Sequence, residues 1–379
     1  MRGRKLAALA AIAAIAAVPS AQARSTTSSP GWKVVASGLD NPRGIAIAKN
    51  GDLWIAEAGK GGTAPCFPGG EGATSCFGLT GAFTVVHKGS QKRVVSGLPS
   101  VADQGTGANA TGVDDITVNG SHVTGLIGSG GNPEQRAAVP GAELTGHVVK
   151  IDPWKGTVWP FADLVQYEAD NNPDGGTNPA DHSPLIDSDA YGIAQVHGGF
   201  VVADAAGNDV LGVSYRRHIS TLAVFPPMLT DAPPFLMAPA GTKIPYESVP
   251  TSVAVRPKDP NIYVGQLTGF PFPVGAANVF WIKPDGTTGV YASGFTNIVD
   301  IAWGPQGSLY VLEIRSNGLL SDDTTGALIR VWPNGTKTVV AGTGLSDPTA
   351  VAVARNGDVY VSNNGTSAGT GDVLNLGKI

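Results

Sequence analysis

The 379-residue sequence has only two cysteines, Cys66 and Cys76, and its six histidines are scattered, so no Cys/His set has zinc-ligand spacing. It contains no GxSxG elbow, no HExxH pair and no Walker-type glycine loop. The common serine-hydrolase, zinc-protease and nucleoside-triphosphate chemistries therefore have no motif here. Charged residues make up only 15% of the chain and no basic cluster occurs, so nucleic acid and anionic membranes are not expected partners. No stretch repeats its apolar residues at the 3.6-residue spacing of an amphipathic helix, which argues against helical solenoids. The apolar run Leu6–Val18 is thirteen residues, too short to cross a bilayer.

Glycine (52) and proline (28) are abundant, and hydrophobic residues reach 42%, a balance that suits many short apolar strands joined by turns. At the N-terminus, Arg2, Arg4 and Lys5 precede the apolar run, and Ala21-Gln22-Ala23 supplies a small-x-small cleavage site. Residues 1–23 therefore read as a secretory signal peptide and 24–31 as a flexible linker. Its removal takes the formal charge from −5 to −8, leaves no transmembrane segment in the mature chain, and predicts a secreted or extracytoplasmic protein. No cysteine follows the apolar run to take a lipid anchor. In an oxidising compartment the loop CFPGGEGATSC is expected to be stapled by a Cys66–Cys76 disulfide.

The phrase LDNPRGIAIAKNGDLWIAEAG (39–59) returns near the other end as LSDPTAVAVARNGDVYVSNNG (345–365). Further copies are GVDDITVNGSHVTGLIG (112–128), YGIAQVHGGFVVADAAGND (191–209), PTSVAVRPKDPNIYVGQLTG (250–269) and NIVDIAWGPQGSLYVLEI (297–314), making six. The first five copies are each followed by a second strand pair, such as GHVVKIDPWKGTVWPFADL, so the unit is four strands, a to d from the centre outward. Six such units predict an all-β, six-bladed propeller of four-stranded antiparallel blades over 32–379. After the sixth copy only DVLNL (372–376) remains, and the missing strand is WKVVASGL (32–39). The N- and C-terminal strands are thus expected to pair within one blade and close the ring. Alanine alternating with β-branched residues in GIAIA and TAVAV would suit the crowded inner strands.

Short a–b and c–d turns (KNG, RNG, GPQG, KPDG, WPNG) should lie on one face, and the long b–c (57–81, 128–145, 267–277) and d–a loops (161–190, 225–250) on the other. Binding sites favour loops held on a rigid scaffold, so the loop face is the expected functional face. Around the channel on that face, strand a offers Arg43, Asp115 and Asp300, and strand b ends on Glu57, Asp204, Gln266, Glu313 and Asn363. These groups could hold Ca²⁺ or another hard cation through oxygen ligands, or serve as strand-end caps. Separately, DNNPDGGTNPAD places Asp170, Asn172, Asp174, Gly175 and Asp181 at the oxygen and glycine spacing of a Ca²⁺ loop. Plain Asx, proline and glycine turns would give the same composition.

NPRGIAIAKNGDLWIAEAG, YEADNNPDGG, VPTSVAV, VGQLTGFPFPVGAANV, GFTNIVDIAWGPQGSLYVLEI and GALIRVW together resemble the ScyD/ScyE family of secreted bacterial proteins. The resemblance runs from about residue 32 to the C-terminus. It implies a six-bladed propeller related to NHL-repeat and SMP-30/lactonase-like proteins, and it brings no reaction or catalytic residue set. Two functions stay open. One is an exported, non-catalytic, monomeric propeller that binds an extracytoplasmic ligand or protein through the loop face. The other is a metal-dependent lactonase- or esterase-like hydrolase with Ca²⁺ in the channel. A channel cation would require Asp115 and Asp300 to converge with a further oxygen ligand.

Overall fold

The computed structural model describes residues 31–68, 73–178 and 181–379. The expected signal peptide (1–23) and residues 24–30 of the expected linker lie outside the described residues.

The chain enters with β1 (Lys33–Leu39), then builds blade 1 from β2 (Pro42–Ile47), β3 (Leu53–Glu57), β5 (Thr74–His87) and β6 (Ser90–Asp103), with a short β4 (Cys66–Pro68) added beside β5. Blade 2 follows as β7 (Val113–Asn119), β8 (His122–Ile127), β9 (His147–Asp152) and β10 (Thr157–Asp163). Blade 3 is β11 (Ala190–Val196), β12 (Gly199–Asp204), β13 (Asp209–Ser214) and β14 (Ile219–Val224). A separate hairpin, β15 (Met228–Asp231) with β16 (Lys243–Tyr246), precedes blade 4. Blade 4 is β17 (Pro250–Val255), β18 (Ile262–Gln266), β19 (Ala277–Ile282) and β20 (Thr288–Phe295). Blade 5 is β21 (Ile298–Trp303), β22 (Leu309–Glu313), β23 (Ala327–Val331) and β24 (Lys337–Ala341). Blade 6 takes β25 (Ala350–Val353), β26 (Val359–Asn363) and β27 (Gly371–Gly377) from the end of the chain and β1 from its beginning, with Lys33 opposite Asn375 and Leu39 opposite Gly371. The ring is therefore a six-bladed propeller closed within one blade, as the repeat predicts.

The core is divided among the blade interfaces. Trp54 and Phe83 of blade 1 pack against Ile116 and Val149 of blade 2, for example, and Leu126 and Val148 of blade 2 meet Phe200 and Leu211 of blade 3. Strand b is buried from both sides, and every residue of β3, β12 and β22 is buried, so these strands are near-continuous apolar runs up to a polar last residue. Inner strands alternate as expected, with Ala46, Ala194, Ala254, Ala302 and Ala352 lining the channel.

Three expected loops hold more structure than their composition suggests. Half of 57–81 is strand, because β5 and β6 run on beyond the blade and carry β4 and the Cys66–Cys76 disulfide. The loop 128–145 contains α1 (Pro133–Ala137), capped by Asn132 and Gln135. The loop 161–190 contains α2 (Leu164–Asn171), whose N-cap is Asp163. Arg136 grips that same Asp163 through both carboxylate oxygens at 2.8 and 2.7 Å, so α1 fixes where α2 starts. No helix among the described residues is long and apolar enough to cross a membrane.

Candidate functional site

Strand b ends, in each blade that supplies a predicted rim residue, on a polar side chain that turns back to the loop entering strand a. Glu57 accepts from the Asp40 N–H at 2.8 Å, Asp204 from Asp189 at 2.8 Å, Glu313 from Thr296 at 2.7 Å and Asn363 from Ser346 at 2.7 Å. Gln266 does the same job through its side-chain N–H to the Ser248 hydroxyl at 3.1 Å. Five of the predicted rim residues thus share one geometry, a side-chain clasp over the d–a entry. Glu57 is also bound by the Arg93 guanidinium, which reaches Asp40 as well.

Asp115 and Asp300 occupy equivalent positions, third in β7 and third in β21, and do equivalent things. Asp115 accepts from its neighbour Ile116 N–H and from Ile193 N–H of blade 3, both at 2.7 Å. Asp300 accepts from Ile301 N–H and from Val351 N–H of blade 6, also at 2.7 Å. Each carboxylate latches its blade to the next. Burial raises the Asp115 carboxyl to about 7, and burial with the charge of Asp115 pushes Asp300 well above the ordinary carboxylate range. Both face a central cavity of about 1010 Å³. Its wall runs down to Asn119 and His197 at the a–b turns, so it opens on the short-turn face. Arg43 donates to the Ala110 carbonyl and lies 3.4 Å from the Tyr191 hydroxyl of blade 3.

The sequence-predicted Ca²⁺ loop is split by α2. Asp170 lies on that exposed helix end and accepts from Gln166 at 2.9 Å, and Asp181 sits on an exposed turn bonded to Ser183. Asn172 is the left-handed C-cap of α2 and donates to the Gly176 carbonyl, while Asp174 turns toward blade 3. Near Asp174 stand acids that the sequence reading did not single out: Glu168 from α2, Asp187 and Asp189 from the d–a loop, and Asp209 opposite Asp204 across the β12–β13 turn. Asp204 is held by Ser188 Oγ at 2.6 Å and by the N–H groups of Asp189 and Gly207. Asp174 accepts from Gly176 N–H at 2.8 Å and approaches the Asn208 amide at 3.4 Å. Burial and mutual repulsion lift Glu168 to about 8 and Asp187 and Asp209 well above the ordinary range. Burial takes Asp189 to about 6, and burial with the charge of Asp189 lifts its neighbour Asp114 well above the ordinary carboxylate range. The signal for this pocket was present in the crowding of acids through YEADNNPDGG and DSDAYG, but only the fold brings those stretches to the β12–β13 turn.

Beside the pocket the loop face carries apolar side chains. In the 232–242 tip of the β15–β16 hairpin, Phe235 is 57% exposed and Met237 89% exposed. Phe270, 48% exposed, makes edge contacts with both Phe235 and Phe272. Glu247, at the base of this hairpin, feels the charge of Asp174, so acid and apolar surfaces are contiguous.

No known family profile matches the sequence, and no curated protein matches it. Among solved structures, the chain is similar to the calcium-binding protein regucalcin from Agrobacterium tumefaciens strain C58, at 10% identity and a TM-score of 0.50, over 92% of this chain and 93% of that one. It is also similar to a streptogramin B lyase, at 12% identity and a TM-score of 0.45 over 91% and 96% of the two chains. Virginiamycin B lyase from Staphylococcus aureus gives 12% identity and 0.45 over 89% and 95%. At such identities the likeness is one of fold alone, a six-bladed β-propeller.

Proposed function

We propose that the protein is an exported member of the ScyD/ScyE group that binds an extracytoplasmic ligand or partner through its loop face and carries out no reaction on it. The observation that carries this reading is the apolar tip of the β15–β16 hairpin, with Phe235 and Met237 held out in water beside Phe270. Folding gains nothing from leaving such side chains exposed together, whereas binding does. The acids next to them favour a ligand that joins apolar surface to positive charge.

The hydrolase reading takes second place. Its support is that Asp115 and Asp300 both face the channel. Against it, each already spends both oxygens on backbone N–H groups, and no three His, Cys, Asp or Glu side chains among the described residues group to hold an ion. The channel residues therefore do not fit a resident cation.

The test is a thermal-shift and calorimetric screen of oligosaccharides, amphiphilic cations and basic peptides, run on the wild type and on a Phe235→Ser/Met237→Ser/Phe270→Ser variant. Binding that the variant loses, with its melting temperature unchanged, is the expected result. Turnover of a lactone or ester panel that survives in the variant and disappears in Asp115→Asn/Asp300→Asn would overturn the proposal in favour of the hydrolase.

A further inference from the structure

On the short-turn face, away from the apolar hairpin, blades 3 and 4 part around a cleft of about 670 Å³. Small-molecule sites occupy cavities of this size, about 300–1,000 Å³. The blade 3 wall is bare because of the residues that form it. Val201 packs toward Val253 and Val264 of blade 4, and its cross-strand neighbours are Gly212 and then Ser220. Cross-strand neighbours share one face of a sheet, so this row offers blade 4 almost no side chain beyond Val201. A Cβ at Gly212 would come within 3.1 Å of Leu222. Opposite stands the a–b turn of blade 4, Arg256 to Asn261, the longest of the six a–b turns. The cleft borders the mouth of the central cavity along residues 195–198.

The floor of the cleft is apolar. Val196, Leu222, Val255 and Ile262 belong to the packing between blades 3 and 4, yet each stays half-buried where it borders the cleft. The rim carries His197, His218 and Lys258, none of which forms an ion pair or side-chain hydrogen bond among the described residues. The Ser220 hydroxyl likewise has no partner there. His218 is held by the c–d turn, where its N–H donates to Ser214 Oγ at 3.1 Å and its carbonyl accepts from Ser214 N–H at 2.9 Å. Arg256 also borders the cleft but lays its guanidinium on the Trp303 ring of blade 5, 5.1 Å from the ring centre. The one carboxylate in the lining, Asp259, is occupied, accepting from Asn261 N–H at 3.0 Å and from the Tyr263 hydroxyl at 2.8 Å. Donors without acceptors thus ring an apolar floor, in a chain whose net charge is −5.

We propose that this cleft binds a small organic acid, its anionic head taken by Lys258, His197, His218 and the Ser220 hydroxyl and its apolar body laid on Val196, Leu222, Val255 and Ile262. Hydrogen bonds to an ionised oxygen are roughly twice as strong as neutral ones, so the rim selects an anion over a neutral compound of the same shape. A cationic ligand would meet Lys258 with no free carboxylate to offset it. An inorganic anion would leave the floor in water and forgo the gain from covering it. The site lies on the opposite face from Phe235 and Met237 and stands independently of what the apolar hairpin binds.

The experiment is calorimetric titration of the purified protein with naphthalene-2-carboxylate. Naphthalene-2-methanol and acetate serve as controls that keep only the apolar body or only the charge. One naphthalene-2-carboxylate per chain is expected, bound at least ~tenfold more tightly than either control and more weakly as salt is added. Lys258 sits at φ +69°, a backbone conformation that asparagine tolerates, so Lys258→Asn removes the charge without straining the turn. The Lys258→Asn/His218→Ala variant should lose at least ~tenfold in affinity with its melting temperature unchanged. Ser220→Phe, which fills the cleft, should abolish binding, and if it fails to fold the charge variant still decides. The Phe235→Ser/Met237→Ser/Phe270→Ser variant should bind as the wild type does. Absence of naphthalene-2-carboxylate binding by the wild type, equally tight binding of naphthalene-2-methanol, full binding by Lys258→Asn/His218→Ala, or binding lost in the loop-face variant would each overturn the proposal.

Discussion

Asp115 and Asp300 were legible as polar groups facing the channel because they interrupt apolar inner strands at the same place in two repeats. Their role was not legible, because the N–H groups they accept from belong to Ile193 and Val351, one blade further on. The same holds for Glu57, whose partner Arg93 lies 36 positions away on the outer strand. Glu57 is fully buried, and Glu57→Ala strands the Asp40 N–H and the guanidinium; we expect a loss of about 2–3 kcal/mol in urea unfolding with an unchanged m-value. The raised carboxyls make a second prediction. Glu168 near 8, Asp115 and Glu313 near 7 and Asp189 near 6 all hold their protons more tightly folded than in an unfolded chain, where carboxyls titrate near ~4. The stability these groups contribute is complete below ~pH 4 and drains away as pH rises through each folded value. The melting temperature should therefore fall between ~pH 5 and ~pH 8, and Glu168→Gln should make that fall shallower. A curve that rises over this window would contradict the burial of these acids.

Elements were legible in proportion to their regularity. The strands of each blade follow from two-residue alternation and short glycine turns, and β4, α1 and α2 escaped because each depends on tertiary partners. α2 shows the reason: Asp163 caps it only once Arg136 from α1 has oriented that carboxylate, and a run of Asx and proline otherwise reads as turns. This is also why an apparent Ca²⁺ loop spanning 170–181 was divided, its first member retained by the helix. The β15–β16 hairpin is paired only with itself and joins no blade sheet. Replacing residues 232–242 with an Asn-Gly turn should accordingly shift the melting temperature by no more than ~2–3 °C while abolishing ligand binding by the loop face. A large loss of stability would mean that the hairpin instead serves as a brace between blades 3 and 4.

The whole molecule was the most legible level, since six copies of one phrase with a missing strand admit few closures. β1 supplies that strand and buries Ala36 and Leu39 in blade 6. Deleting residues 31–39 should cost on the order of 5 kcal/mol or more in unfolding free energy. A circular permutant that joins the original ends by a short linker and opens at 238–241 should recover a single cooperative transition close to that of the wild type. Repetition does not make the blades alike, however. The third residue of strand a is Gly44 in blade 1, Asp115 in blade 2, Gly192 in blade 3 and Asp300 in blade 5, and a Cβ at Gly44 would collide with Asp115 Oδ1. Each blade is thus cut to the shape of the one that follows it. A blade moved to another place in the ring would set the wrong side chain against its neighbour, so the six units fit only in their present order.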